Sequence, residues 1–321
     1  MFETRITKML GIKYPIIGGT MASISDADFV AAISNAGGIG ILASIMYQTK
    51  DDFAVAIDRI RELSDRPFAI NLNFFPAQFP VSQQEYTEIM VEKGVKIVET
   101  SGHMAPPEEL CQRFKEAGMI WIHKCVGLRY ALKAQNLGAD IVTVVGYENG
   151  GATGRLDIGT LVLVPTIAKG VQVPVIGGGG VSDGHGFAAV LSLGAEGVIM
   201  GTRLLATQEC PIHESLKQAL VSATELDTML IMRSVGTHRV WTNAAATKCA
   251  EIEATGASFE EILKIVSGDN SRRVYYEGDL DCGVVPCGQG IGQVHDIPTV
   301  KDLFDRIIAQ ATEVVTGLTK S

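Results

Sequence analysis

Short apolar runs alternate with amphipathic stretches along the first two thirds of the chain. The runs have the length of buried strands, and the stretches between them have the spacing and caps of helices. The predicted strands are PIIGG (15–19), GIGILA (38–43), PFAINLN (67–73), KIVETSG (96–102), IWIHKC (120–125), DIVTVVG (140–146), PVIGGG (174–179) and GVIMGTR (197–203). A predicted helix or loop follows each of them.

These strands are continuously apolar rather than alternating, which is typical of a parallel sheet buried on both faces. A new strand begins about every 22 to 30 residues, the length that a strand–helix repeat requires. Eight such units predict an α/β protein with a closed (β/α)8 TIM barrel. A doubly wound open sheet is the alternative architecture.

The pattern changes beyond about residue 208. IHESLKQALVSA, SFEEILKIVSG and VKDLFDRIIAQATEVVTGL are typical of helices, and no clear strand lies between them. We therefore predict that residues 1–209 and 290–321 form the barrel domain. Residues 210–289 are predicted to form a helical subdomain that acts as a lid and selects the substrate.

Composition and charge narrow the class of partner. The net charge is −9 and no Lys/Arg cluster stands out, which argues against nucleic acid or an anionic membrane as the main partner. No apolar run is long enough to span a bilayer, and MFETRITKML lacks the apolar core of a signal peptide. The six cysteines form no CxxC pair, as expected of reduced thiols in a cytoplasm. We expect a small-molecule substrate and a homodimer.

Four consecutive glycines, Gly177 to Gly180, end the seventh predicted strand. The loops after strands seven and eight of a TIM barrel often bind a phosphate. Main-chain N–H groups of Gly178, Gly179 and Gly180, with Gly201 and Thr202 after the eighth strand, are therefore candidate phosphate ligands. The alternative is a tight turn that binds nothing.

The stretch from Gly180 to Gly184 also matches G-x-S-x-G, the nucleophile motif of serine hydrolases, with His295 downstream. Seven strand–helix units precede it, however, and Ser182 and Asp183 are better explained as helix caps. The sequence has no Walker A motif, no HExxH motif and no histidine cluster, so we predict no metal site.

Several motifs together resemble the nitronate monooxygenase (2-nitropropane dioxygenase-like) family. They are YPIIGGTM, AGGIGILA, INLN, HKC, GYENGG, PVIGGGGVSDG, LGAEGVIMGTRLLATQECPIH and CGQGIG. The resemblance covers nearly the whole chain and is nearest to the FMN-dependent NADH:quinone reductases of that family. The bacterial FMN-dependent enoyl-ACP reductase is a more distant relative.

The resemblance implies FMN bound in a TIM barrel. Main chain of Gly19, Thr20 and Met21 would face the flavin ring, Asn71 its polar edge, and Lys124 the N1/O2 side, where a positive charge favours reduced flavin. The residues implied at the ribityl phosphate are Gly150, Gly151, Gly178, Gly179, Gly180, Gly201 and Thr202, and Gln289 is implied near the flavin.

The chain departs from the family at one position. Related sequences carry a histidine that exchanges a proton where this chain has Ala152, and alanine cannot do so. His103 and Tyr147 are candidate replacements, so Lys124, His103 and Tyr147 are the predicted catalytic residues. Asn73, Glu148 and Asn149 are candidates to orient a substrate carbonyl.

The leading hypothesis is an FMN-dependent oxidoreductase that takes hydride from NADH or NADPH and reduces an enone, an enoyl thioester or a quinone. The second is a nitronate monooxygenase that oxidises alkyl nitronates with O2. The third is a flavin-binding protein without catalytic turnover.

Overall fold

A computed structural model of the chain describes residues 2–74, 81–102, 104–154, 156–234 and 236–320. By its internal contacts the chain forms two compact units. The barrel unit comprises Met1–Val144, Leu163–Gly177 and Ala189–Ile199. The second unit comprises Val145–Val162, Gly178–Ala188 and Met200–Ser321.

The helices and strands are numbered in chain order. The strands are β1 Ile16–Gly18, β2 Ile41–Ala43, β3 Ala69–Phe74, β4 Ile97–Gly102, β5 Ile120–Cys125, β6 Ile141–Val145, β7 Gly151–Ala152, β8 Val175–Gly178, β9 Gly197–Met200, β10 Thr228–Ile231 and β11 His238–Trp241. The α-helices are α1 Arg5–Leu10, α2 Ala27–Asn35, α3 Lys50–Leu63, α4 Gln83–Glu92, α5 Glu108–Glu116, α6 Leu128–Asn136, α7 Thr160–Gly170, α8 Gly184–Ser192, α9 Thr202–Leu205, α10 Glu214–Val221, α11 Ala244–Ala254, α12 Phe259–Val266, α13 Gly268–Glu277 and α14 Val300–Lys320. Two 3₁₀ helices span Ser44–Met46 and Gln289–Gln293.

Eight parallel strands form the barrel, in the order β1-β9-β8-β6-β5-β4-β3-β2. The first and last strands of this order, β1 and β2, are joined by a parallel bridge between Ile17 and Ile39. There the Gly18 N–H donates to the Ile39 carbonyl at 2.9 Å, and the Ile39 N–H donates to the Ile16 carbonyl at 3.0 Å. All eight predicted strands and the TIM barrel are thus confirmed. The apolar runs predicted them correctly because a strand buried on both faces has no polar side to interrupt the run.

Local packing explains why residue 40, just before β2, is a glycine. A Cβ atom on Gly40 would lie 2.4 Å from the Val30 carbonyl oxygen, so α2 approaches the chain there too closely for any side chain. Asp26 caps the same helix by accepting a hydrogen bond from the Phe29 N–H at 2.9 Å. Capping and close approach together fix α2 against the barrel wall.

The second unit contains a small antiparallel sheet in the order β10-β11-β7. The expectation of helices without strands between residues 210 and 289 was therefore wrong, because β10 and β11 lie there. Each of these strands has only four residues, and several of those residues are half-buried. Neither strand therefore shows the long apolar run that is typical of the barrel strands. The proposed lid role of this segment stays a prediction. None of the described helices has the length and apolarity that crossing a membrane would require.

Candidate active site

Successive side chains of strand β5 point alternately into the barrel interior and outward to the surrounding helices. The ring of Trp121 lies 6.0 Å from that of Phe114 on α5, so Trp121 points outward to the helix layer. Because side chains alternate along a strand, Ile122 and Lys124 point into the barrel. Lys124 is half-buried there and pairs in register with Thr143 of β6.

Four polar side chains form a hydrogen-bonded group in the barrel unit, here called the interior cluster: Thr20, Asn71, Glu99 and Ser101. Glu99 Oε2 accepts a hydrogen bond from Thr20 Oγ1 and another from Asn71 Nδ2, both at 2.7 Å. Asn71 Nδ2 also donates to Ser101 Oγ at 3.0 Å. Because β1 and β4 are not neighbours in the sheet, the bond between Thr20 and Glu99 runs across the barrel interior.

Two buried oxygen atoms of the barrel unit, one of them in this cluster, have no hydrogen-bond partner among the described residues. They are Oε1 of Glu99, which is 1% exposed, and Oγ1 of Thr143, which is fully buried. Barrel interiors are usually filled with branched apolar side chains, and a buried polar atom without a partner is unfavourable. A polar ligand in the barrel would supply the missing partners.

His123 faces away from this interior. Its Nδ1 atom lies 2.8 Å from Thr100 Oγ1, which accepts a hydrogen bond from Trp121 Nε1 at 2.7 Å. Burial lowers the pKa of His123 to about 4, because the charged imidazolium loses its hydration. His123 is therefore neutral at neutral pH and belongs to the packing between strands and helices.

The glycine run packs against the loop that follows β6, within the second unit. Gly179 has φ of +107°, and a Cβ atom there would lie 2.6 Å from Thr160 Oγ1 and 2.9 Å from the Gly146 nitrogen. The carboxylate of Glu148 in turn accepts hydrogen bonds from the hydroxyl and the main-chain N–H of Thr160, at 2.8 to 3.1 Å. Loop packing therefore requires glycine at position 179, and Glu148 caps α7.

The same region presents main-chain N–H groups that are open to a ligand. Within the described residues, the N–H groups of Gly179, Gly180 and Gly201 are bound to no acceptor, and all three residues are partly exposed. Thr202 begins α9, and its hydroxyl oxygen accepts a hydrogen bond from the Gly288 N–H at 2.9 Å. These donors follow β8 and β9, the seventh and eighth barrel strands in the chain, after which TIM barrels often bind a phosphate.

The loop after β6 carries the candidate residues from Tyr147 to Ala152. Asn149 Nδ2 donates to the carbonyl oxygens of Gly150 at 2.7 Å and Ala152 at 3.0 Å, and its buried Oδ1 atom has no partner among the described residues. The Tyr147 ring packs under the guanidinium of Arg239, with 4.5 Å between Cζ and the ring centroid. Sequence reasoning missed Arg239, because arginine is mostly exposed and no local motif marks a buried one.

His238 lies directly opposite Ala152 in the antiparallel pair of β11 and β7. Its Nδ1 atom donates to the Gly236 carbonyl at 2.6 Å, since a carbonyl oxygen can only accept. Opposite residues in an antiparallel pair have neighbouring Cβ atoms, so the imidazole of His238 stands beside Ala152, the position at which the family resemblance implies a histidine. His238 and Ala152 are 86 residues apart along the chain, so no local sequence pattern could predict that they are paired.

The serine hydrolase alternative is not supported. Ser182 is 3% exposed, and its hydroxyl donates to the Gly290 carbonyl at 2.7 Å, where it holds the loop before α8. Asp183 Oδ1 accepts from the Gly186 N–H at 2.9 Å, as a helix cap does. Over the described ranges, no three His, Cys, Asp or Glu side chains could together hold a metal ion.

Most predicted site residues lie in the barrel strands or in the segments that follow them. Asn71 and Asn73 lie within β3, Lys124 within β5 and Gly151 within β7, while the others except Gln289 and His103 follow or end β1, β6, β8 or β9. Gln289 begins the second 3₁₀ helix and donates its main-chain N–H to the Glu148 carbonyl at 2.9 Å. His103 lies outside the described residues.

A family model described as "Nitronate monooxygenase" matches residues 3–310. The chain belongs to the nitronate monooxygenase family. This membership supports a flavin-dependent oxidoreductase as its broad activity.

The proteins to which this chain is similar are named for different activities. It is 31% identical to the "(3aS,4S,5R,7aS)-5-hydroxy-7a-methyl-1-oxo-octahydro-1H-indene-4-carboxyl-CoA dehydrogenase" of Rhodococcus jostii (strain RHA1), over 98% of each chain. It is also 31% identical to a "Probable nitronate monooxygenase" of Staphylococcus aureus (strain N315), over 71% of this chain and 75% of the relative. The structure of FabK from Thermotoga maritima matches with a TM-score of 0.90 and 32% identity, covering 100% of this chain and 99% of FabK.

Proposed function

We propose that this family member is an FMN-dependent oxidoreductase that takes hydride from NADH or NADPH and reduces an electron-poor acceptor. The candidate acceptors are an enone, an enoyl thioester and a quinone. The observation that carries the proposal is the polar barrel interior, where Glu99 Oε1 and Thr143 Oγ1 lack partners among the described residues. A dehydrogenase of a CoA thioester among the full-length relatives favours a thioester as acceptor.

The described residues fit an FMN cofactor, which would supply the hydride chemistry. In the barrel unit, Asn71 uses both amide hydrogens on Glu99 and Ser101. Its carbonyl oxygen accepts from Ser101 Oγ at 3.5 Å and keeps a second lone pair that could accept from a ring N–H. In the second unit, the N–H groups of Gly179, Gly180 and Gly201 would bind phosphate oxygens. Lys124 would place a positive charge in the barrel interior.

Anaerobic reduction by nicotinamide tests the proposal. The purified protein is expected to contain FMN, and NADH or NADPH is expected to bleach its absorbance band near about 450 nm, which is typical of oxidised flavin. If neither nucleotide bleaches the flavin while an alkyl nitronate does, the protein is instead a nitronate monooxygenase, the activity named for its family. A protein that takes up no FMN contradicts both functions.

His238 is our candidate for the proton donor, because it lies opposite Ala152. A His238→Gln variant is expected to reduce an enoyl thioester at least about tenfold more slowly and to show an altered pH dependence of kcat, since a positioned acid contributes about 100-fold or more. Reduction of ferricyanide, which needs no proton on the acceptor, should not change.

His185→Gln is the matched control, since the His185 side chain is 70% exposed and lies 3.0 Å from the Asp183 carboxylate at the start of α8. Both variants are compared by steady-state rates over a range of pH. An unchanged pH profile in His238→Gln would exclude His238, and the proton would then have to come from Tyr147 or water.

A further inference from the structure

Arg239 is a buried arginine that does not use all of its hydrogen-bond donors. The residue is 3% exposed. Its Nε atom donates to the Tyr147 carbonyl at 3.2 Å, and Nη1 donates to Thr228 Oγ1 at 3.1 Å. The Nη2 atom is buried and has no partner among the described residues.

Arg239 also forms no ion pair with a carboxylate of the described residues. Across the described ranges, no carboxylate lies within 4.0 Å of its guanidinium, although Arg203, the other buried arginine there, is paired with Asp296 at 2.8 Å. Burying a cation without an anion is costly, and arginine keeps its proton at any pH that a folded protein survives. A buried, unpaired guanidinium with a spare N–H group is a binding element for an oxygen that carries negative charge.

The surroundings hold this guanidinium in one orientation. Arg239 pairs in register with Gly151 of β7, and its carbonyl accepts from the Cys287 N–H at 3.3 Å. Its side chain lies over the Tyr147 ring in the loop that follows β6. Loops at the carboxyl ends of barrel strands are where TIM-barrel enzymes build their active sites.

We propose that Arg239 binds the carbonyl oxygen of the electron acceptor and stabilises the negative charge that develops there. The inference rests on the proposed function. Hydride addition to the β-carbon of an enone or enoyl thioester breaks the C=C π bond and moves an electron pair onto the carbonyl oxygen. One proton then adds at the α-carbon, the acceptor is reduced by two electrons, and the nicotinamide is oxidised by two. The hydrogen bond from Nη2 to this oxygen is stronger in the transition state, where the negative charge develops, than in the bound acceptor. The interaction therefore lowers the activation barrier more than it strengthens binding.

Single-turnover reoxidation of the photoreduced holoprotein tests this role without nicotinamide. Wild type, Arg239→Met, Arg239→Lys and the exposed control Arg233→Met are mixed anaerobically with crotonyl-CoA, 2-cyclohexen-1-one or ferricyanide, and wild type is also mixed with a water-soluble quinone. Arg239→Met is expected to slow reoxidation by both carbonyl acceptors by about 100-fold, the effect of one lost oxyanion donor. The apparent Kd from the concentration dependence should change less than fivefold, and Arg239→Lys should recover part of the rate.

The ferricyanide arm separates chemistry from folding, because ferricyanide takes electrons without forming a charged carbonyl oxygen. Equal losses with ferricyanide and with both carbonyl acceptors would give Arg239 a structural role and overturn the inference, as would a normal carbonyl rate in Arg239→Met. If Arg239→Met retains no FMN, the comparison of Arg239→Lys with wild type decides, and equal carbonyl rates would overturn the inference. Reoxidation of wild type by ferricyanide but by neither carbonyl compound nor a quinone would overturn the proposed function itself.

Discussion

A Gly179→Ala variant is expected to bind FMN about 100-fold more weakly than wild type. Gly179 has φ of +107°, where an L side chain is strained, and its added Cβ would lie 2.6 Å from Thr160 Oγ1 and 2.9 Å from the Gly146 nitrogen. Strain and overpacking of this kind cost about 1 to 3 kcal/mol each. If the loop moves to relieve them, the N–H groups of Gly179 and Gly180 move with it and no longer fit a phosphate.

The measurement is a titration of the apoprotein with FMN, followed by the quenching of FMN fluorescence, together with a thermal unfolding curve. Gly118→Ala is the matched control, because Gly118 also has positive φ, +65°, but a Cβ there would meet nothing within 4 Å. The control should lose about 1 kcal/mol of stability and keep its FMN affinity. Wild-type FMN affinity in Gly179→Ala would remove the glycine run from the phosphate site.

The structure gives one of the four glycines, Gly179, a second reason to be a glycine. Sequence reasoning explained them by the approach of a ligand, whereas Gly179 is required by the approach of Thr160 and Gly146. The two reasons are compatible, because the loop contact fixes the backbone whose N–H groups would bind the proposed phosphate. A glycine motif alone cannot separate them, since both need a backbone without a side chain.

The barrel strands could be predicted because each is a local pattern. Burial on both faces leaves an apolar run that any window along the chain reveals. The interior cluster depends instead on the register between strands. Glu99 is the single acidic residue in the run KIVETSG, and only the pairing of β3 with β4 brings it beside Asn71. His238 and Arg239 escaped prediction for the same reason, since their partners in β7 lie in a distant part of the sequence.

Two charged residues of the barrel interior are expected to shift the flavin midpoint potential in opposite directions. Glu99→Gln replaces a carboxylate by an amide of the same shape, and Lys124→Met removes an ammonium group. Reduced flavin carries more negative charge than oxidised flavin, so loss of the Glu99 charge should raise the potential and loss of the Lys124 charge should lower it. Unit charges roughly 8 Å apart interact by about 2 kcal/mol at an effective dielectric constant of about 20.

An interaction of that size corresponds to about 40 mV for a two-electron couple. The potential is measured by equilibrating the flavin with a reference dye during slow anaerobic reduction. Glu108→Gln, on the exposed start of α5, removes the same charge outside the barrel and should leave the potential unchanged. In the double variant the opposed contributions should nearly cancel, because each acts on the same group. Shifts of the same sign in the two single variants would show that at least one of these charges acts through structure rather than through its field.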